Sequence, residues 1–395
     1  VRILVTDGQS RAALAITRSL GEKGHDVHVA AVTARSVAAS SKYCHKSHIY
    51  PDPASDRAGY LDTIEDLIDA TEIDILLPVT DICLFPVVEQ LDRFRAICSV
   101  PFASISAIEK AANKDEITQL AQKLGVATPR SRTIASKGSG RNEPWDGQFP
   151  VVLKSSRSRV KVGSGWLFTG VDYADSASQL ARKLEQLPDA AYPVLLQERI
   201  KGPGIGVFYC FDNGRRIATF AHRRLQEKPP SGGVSVLRES VRPDPKADEY
   251  GQALLSALNW HGVAMVEFKL DERDNIPKLM EINGRFWGSL QLAIDSGVDF
   301  PDLLVRMASG ESLQEIDDYE VGVRSRWLCG ELDLLLLFLL KSRTTLNLPA
   351  HHPSRFLSAL KVINPFVRRQ KLEVLRVSDI KPWLYEVRQW LRAGR

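Results

Sequence analysis

The pattern of apolar runs in this 395-residue chain changes character near residue 110, and that change limits what the chain can fold into. Before it, strand and helix signals alternate. Residues 2–6 form a short apolar run, residues 12–23 carry apolar side chains at helical spacing and stop at Gly24, and residues 26–32 read as a second strand. Residues 60–70 place Ile64, Leu67 and Ile68 on one helical face, and 73–78 is another apolar strand. Repeated strand–helix units predict an open parallel α/β sheet. Ligands on such sheets sit beyond the carboxyl ends of the strands, here 6–11 and 79–81. After residue 110, hairpins dominate. Residues 149–154, 194–199, 206–212 and 216–221 read as strands, the last two joined by the tight turn Asn213-Gly214. Residues 263–270 and 278–283 make a second hairpin around 271–275. Residues 114–124 read as a helix closed by a turn at 125–129, and 136–147 and 155–165 as polar loops, the second one basic. The stretch 321–395 reads as helical and basic at its end. The length exceeds what one core holds, and units are expected at 1–110, 111–190, 191–315 and 316–395.

Several function classes are disfavoured. Asp7-Gly8-Gln9-Ser10 follows the first strand in place of a Gly-x-Gly-x-x-Gly turn, which argues against a dinucleotide site, and no Walker A sequence occurs. The net charge of +4 is small and lacks the basic stripe of a nucleic-acid binder. The basic residues at 157–161 and 215–224 read better as parts of an anion site. Five scattered cysteines without a C-x-x-C pair fit free thiols in a reducing compartment. Cys44-His45-x-x-His48 is too few ligands for a zinc site. No signal-peptide pattern opens the sequence, and the most apolar run, 334–340, is far shorter than the roughly 20 residues that span a bilayer. A cytoplasmic protein without stable membrane insertion is expected.

The sharpest chemical signal lies in the second hairpin. Alternation puts Glu281 and Asn283 on one face of their strand with Ile282 on the other, and Glu267 and Lys269 on one face of the partner. Carboxylates facing each other across strands repel unless a cation lies between them. Two glutamates and an asparagine offer hard oxygens suited to magnesium that also holds phosphates. Arg285 follows within reach. The competing reading is an ordinary solvated sheet face.

Five landmarks stand in order: Lys114 ahead of a helix, Pro150-Val151-Val152-Leu153-Lys154, Gln197-Glu198-Arg199-Ile200-Lys201-Gly202, Val266-Glu267-Phe268, and Met280-Glu281-Ile282-Asn283-Gly284-Arg285. In these the chain resembles the ATP-grasp superfamily over about residues 111–310, and the first hundred residues look like its pre-ATP-grasp domain. His-Arg-Arg-Leu at 222–225 and Gly-Gly-Val-Ser at 232–235 are similar to carbamoyl-phosphate-synthase-like members regarded as carboxylate–amine ligases. The resemblance implies an α/β and α+β chain, with an ATP-grasp fold behind an N-terminal parallel α/β domain and a helical C-terminal extension.

It also implies roles. Lys114 and Lys154 would hold ATP phosphates, and Gln197, Glu198 and Ile200 would form the hinge that meets adenine. Gly163, Ser164 and Gly165, preceded by Arg157, Arg159 and Lys161, would form a phosphate lid. Glu267, Glu281 and Asn283 would bind Mg2+, with Mn2+ as a substitute, and Arg285 with Lys154 would act in catalysis. Arg223, Arg224, Ser231, Gly232, Gly233 and Asp81 are the substrate candidates. Asp81 reads more readily as a helix cap than as an amine ligand, 229–233 is also readable as a plain connector, and His222 equally as a sheet hydrogen bond. One departure stands out: Gly204 occupies the place where many members hold ribose with a glutamate. The implied activity joins a small-molecule carboxylate, activated as an acyl phosphate, to an amine. A small-molecule kinase and a catalytically inactive nucleotide-binding protein stay open beside it. A homodimer through the first domain is the expected assembly.

Overall fold

The computed structural model describes residues 1–139, 145–155, 159–162, 165–168, 171–230, 233–342, 345–346, 357 and 369–393. Strands β1 (Arg2–Val5), β2 (Asp26–Ala31), β3 (Cys44–Ile49) and β4 (Ile75–Leu77) form a parallel sheet in the order β3-β2-β1-β4. Ile3, Leu4 and Val5 are fully buried, as expected for the apolar central strand of such a sheet. Helix α1 (Arg11–Glu22) follows β1. It is capped by Ser10, whose Oγ accepts from the Ala13 N–H at 3.0 Å. Helix α2 (Arg57–Thr71) precedes β4.

The carboxyl end of β1 is tied to that of β4. Asp7 adopts a left-handed φ of 57°, and its carboxylate accepts from the Val79 N–H (3.2 Å), the Thr80 N–H (3.0 Å) and the Thr80 hydroxyl (2.7 Å). Gly8 follows because a Cβ there would lie 2.5 Å from Ser36 Oγ. Helices α3 (Asp81–Glu89), α4 (Leu91–Arg95), α5 (Ile105–Ala112) and α6 (Lys114–Lys123) lead out of this unit.

Strands β5 (Ser131–Ile134) and β6 (Val151–Ser155) begin a smaller antiparallel sheet. Strands β7 (Arg159–Val162) and β8 (Gly165–Phe168) pair only with each other, so the stretch expected as a basic loop contains a two-stranded ribbon. With β9 (Val171–Ala174) and β10 (Val194–Glu198), the small sheet runs β5-β10-β6-β9. Helix α7 (Ala177–Gln186) lays Leu180 onto it. Ile134, Trp145, Val151, Leu153, Leu180, Val194 and Leu196 form a core of its own, separate from the main one.

The large sheet comprises β11 (Gly204–Asp212), β12 (Arg215–Lys228), β13 (Val234–Val241), β14 (Gly262–Leu270), β15 (Pro277–Asn283), β16 (Arg324–Arg326) and β17 (Gln370–Leu372). Its order is β15-β14-β11-β12-β13-β16-β17, antiparallel except for β16–β17. One continuous apolar core joins this sheet to the N-terminal unit, with Phe102 meeting Phe286 edge-on at 6.3 Å.

The C-terminal stretch, expected to be helical, has helices at Leu328–Leu340 and Lys381–Ala393 but also supplies the two edge strands β16 and β17. It fastens the N-terminal unit to the large sheet through buried charge. Glu373 accepts from Arg11 Nη1 at 2.6 Å and pairs with Arg238. Arg18 donates to Asp379 at 2.9 Å and to the Val374 carbonyl at 2.9 Å. All five cysteines are free. No described helix is long and apolar enough to cross a membrane.

Candidate active site

A β-bulge sets the geometry of the site. Opposite β14, Glu267 pairs with Glu281 while Phe268 pairs with Leu279, leaving Met280 as the extra residue. Strict alternation would put Glu281 on the core-facing side with Leu279. The bulge absorbs Met280 instead, so that Glu281 faces outward opposite Glu267 and Ile282 returns to the core. The two carboxylates thus oppose each other, with Asn283 beside them donating from Nδ2 to Glu281 Oε1 at 3.1 Å.

The electrostatics follow from this crowding. Burial pushes the Glu267 carboxyl up, Arg224 pulls against it, and the neighbouring Glu281 pushes it further. Burial acts on Glu281 too, but the Asn283 amide, Lys114 and Lys154 outweigh it and hold this carboxyl below its ordinary value. Among the described residues no group of three or more His, Cys, Asp or Glu side chains could hold a metal. The set here is two carboxylates and an amide oxygen. Such an incomplete ring of hard oxygens suits magnesium when phosphates fill the remaining positions. The residues therefore fit the cation, and Glu267, Glu281 and Asn283 are those that would hold it.

Lys154 extends from β6 toward this pair and donates to Gln197 Oε1 at 2.7 Å. Gln197 is buried on β10 and donates in turn to Ser131 Oγ at 3.2 Å. Burial lowers the Lys154 amine to about 8, with Glu281 opposing and Lys114 and Lys269 reinforcing the fall. Lys114, at the first position of α6, is lowered by burial and raised by Glu281. Cationic side chains from two elements thus converge on the acidic pair, ready for a polyanion. Lys269, on the Glu267 face of β14, was absent from the sequence-derived candidates, although sharing that face was the signal for it.

Arg285 bridges the site and the N-terminal unit. Its Nε donates to Asp81 Oδ2 at 3.1 Å, its Nη1 to the Phe286 carbonyl at 2.9 Å, and its Nη2 reaches Asn283 Oδ1 at 3.5 Å. Asp81 is the first residue of α3 and its side chain is an ion-pair partner, not a helix cap. Arg224, on β12, pairs with Glu267.

Other candidates lie elsewhere. Arg223 points away from the acidic pair, to Glu239 at 2.8 Å. Arg215 and Arg216 sit at the far end of β12 with Asp212, Asp248 and Glu315, so of the basic stretch 215–224 only Arg224 joins the site. His222 is buried, stacks on Phe208 and is hydrogen-bonded to Ser289 Oγ at 2.8 Å. Glu198 pairs with Arg273, and Ile200 is buried next to it in the connection to β11. Gly204 opposes Lys269 across β11 and β14. Gly233 sits in the β12–β13 connection, where a Cβ would lie 2.4 Å from the Lys228 carbonyl. Gly165 opens β8. Gly163, Ser164, Ser231 and Gly232 lie outside the described residues. The histidines of the 44–48 stretch stack on His28 in the edge of the parallel sheet.

Comparison with known proteins bears on the fold. A family model described as "ATP-grasp in the biosynthetic pathway with Ter operon" matches residues 190–330. The carbamoyl phosphate synthase large chain of Clostridium beijerinckii is 24% identical over 217 residues, which is 53% of this chain and 20% of that one. This chain therefore spans about a fifth of that relative. Among solved structures, biotin carboxylase from Campylobacter jejuni superposes with a TM-score of 0.64 at 18% identity, covering 82% of this chain and 74% of that one. N5-carboxyaminoimidazole ribonucleotide synthetase in an ADP complex gives 0.63 at 15% identity, with 86% and 84% covered. L-amino acid ligase from Bacillus licheniformis gives 0.59 at 15%, with 78% and 73% covered. At these identities the structures share the fold. The segment 190–330 thus matches an ATP-grasp family model, and the chain shares its fold with these structures and is similar to the carbamoyl phosphate synthase large chain.

Proposed function

We propose that this chain is an ATP- and magnesium-dependent ligase that activates a small-molecule carboxylate for attack by an amine. The observation that carries this reading is the outward-turned pair Glu267 and Glu281, flanked by Asn283, Lys114, Lys154 and Arg285. Like charges pressed together in this way cost stability, and they suit a site loaded with a divalent cation and phosphates. A cation held there supplies neutralisation of phosphate charge.

The chain's own groups do the positioning. Lys114 and Lys154 hold phosphate oxygens, and Lys154, at about 8, stays mostly protonated at neutral pH. A carboxylate oxygen of the acid attacks the γ-phosphorus of ATP while the bond to ADP breaks, giving an acyl phosphate. The amine then attacks the carbonyl carbon, phosphate leaves with the C–O bond pair, and the amine loses a proton. Arg285, steadied by Asp81, offers positive charge to the oxyanion that forms in between. No covalent bond to the chain is required, since positioning and electrostatics suffice. On this reading the chain divides near residues 110, 190 and 315, with the site where the first three units meet.

The reading is tested by ADP and phosphate release with ATP, magnesium and a panel of carboxylic acids and amino acids, followed by mass spectrometry. Release requiring two substrates, with a product lighter than their sum by one water, is the expected result. A phosphorylated single substrate would replace the ligase with a kinase. Nucleotide binding without turnover for any pairing would favour an inactive grasp fold, a reading to which Gly204 at the ribose position gives its only support.

A further inference from the structure

Beside the acidic pair lies a cavity of about 250 Å³, bounded by α2, α3, α5 and the end of β15. Its two ends differ in chemistry. At one end stand Lys114, Glu281 and Asn283, with Asp81 holding the Arg285 guanidinium at 3.1 Å. Between the ends the wall is apolar, made by Leu84, Phe85, Pro86, Ile108 and Ala112. The charges farther out are Arg57 and Glu89, which pair with each other, and Glu109. Glu109 is exposed and has no ion-pair partner among the described residues.

We propose that this cavity holds the acid to be activated and selects a monocarboxylic acid with an aliphatic or aromatic side chain. The inference rests on the ligase reading for the direction in which the acid lies. Its carboxylate must reach the phosphate-holding end, where Lys114 and the Arg285 guanidinium supply positive charge. The rest of the molecule then lies along the apolar wall, where burying hydrocarbon is favourable and burying an unpaired polar group is not. The volume is at the small end for ligand sites, generally about 300–1,000 Å³, and fits an acid of roughly leucine to phenylalanine size. A second carboxylate would meet Glu109, whose charge no cation among the described residues offsets. The amino acid and its deaminated analogue share this chemistry, and the experiment separates them.

The test is calorimetric titration of the full chain, with ADP and magnesium present, using glycine, leucine, phenylalanine, 4-methylpentanoate, glutamate and lysine, with ADP release from ATP measured in parallel for each acid combined with a panel of amines. Leucine and phenylalanine, or 4-methylpentanoate if the amino group is not read, are expected to bind best. Ala112→Phe, which fills the cavity, should weaken them tenfold or more while leaving ADP affinity unchanged. Phe85→Ala, which enlarges it, should shift preference toward bulkier acids and decides the matter if Ala112→Phe does not fold. Best binding by glutamate or lysine would overturn the proposal, as would unchanged leucine and phenylalanine affinities in both variants. Apolar acids that bind with this dependence but release no ADP would uphold the cavity assignment and sink the ligase reading. ADP release driven only by polar acids would do the reverse.

Discussion

Glu267 and Glu281 face each other at the price of mutual repulsion, and Arg224 offsets part of it by pairing with Glu267. A residue kept in such a place for stability alone would be improved by losing its charge. Glu267→Gln and Asn283→Ala are therefore expected to reduce turnover on the order of 10²-fold or more, while thermal unfolding of Glu267→Gln, whose charge burial and Glu281 disfavour, stays unchanged or moves upward. Loss of activity together with collapse of the melting temperature would instead mark these residues as structural. Both glutamates were legible in the sequence because hard-oxygen residues alternate on facing strands. Arg224 was separable from Arg223 only in the structure, where one guanidinium reaches the acidic pair and the other reaches Glu239.

At the scale of elements, the Met280 bulge is the device that exposes the site. Deleting Met280 removes the extra residue, so that Leu279, Glu281, Ile282 and Asn283 alternate core and surface without a bulge, and the deletion is expected to give soluble, folded chain with Glu281 still facing Glu267. Met280→Ala keeps the residue count and should leave circular dichroism and solubility unchanged. An insoluble or unfolded deletion variant would show that the strand needs the extra residue for its packing. The bulge had a trace in the sequence, since Leu279 and Ile282 are both apolar at a spacing of three, which period-two alternation does not allow. The strand–helix alternation of the first unit and the hairpin of β14 and β15 were readable because buried runs there are long and apolar. Strand β3, Cys-His-Lys-Ser-His-Ile, was not, because it is an edge strand with mostly exposed side chains. Nor were β16 and β17, three residues each and largely polar, whose strand character comes from neighbours distant in the chain.

The pairing of β2 with β3 also carries a pH response. His28 Nδ1 and His48 Nε2 are hydrogen-bonded at 2.9 Å, and His28 is held at about 4, first by burial and then by His48 and His45. The folded chain refuses a proton that the unfolded chain accepts below about 6.5. Stability contributed here is complete above about 6.5 and is lost as pH falls toward 4. Denaturant titrations between pH 7 and 4 should show a shallower loss for His28→Gln than for the unaltered chain. Parallel curves would remove His28 as a cause.

Across the whole molecule, Glu373 joins three regions by accepting from Arg11 of the N-terminal unit and pairing with Arg238 of the large sheet. Glu373→Gln leaves two arginines in low-dielectric surroundings without their counter-charge. Breaking a buried pair in this way costs about 3–5 kcal/mol, to be read as a lowered denaturant midpoint. A change within error would mean that water reaches these arginines. The same fastening has a consequence for the small sheet, which shares neither the main core nor the Glu373 clasp and rests on its own few apolar residues. Its backbone amides should keep their own clock. In deuterated buffer, those of β6 and β10 are expected to exchange well before those of β11 and β14, as a separately opening unit, and, on the proposed ATP-dependent reading, to slow selectively when nucleotide is added.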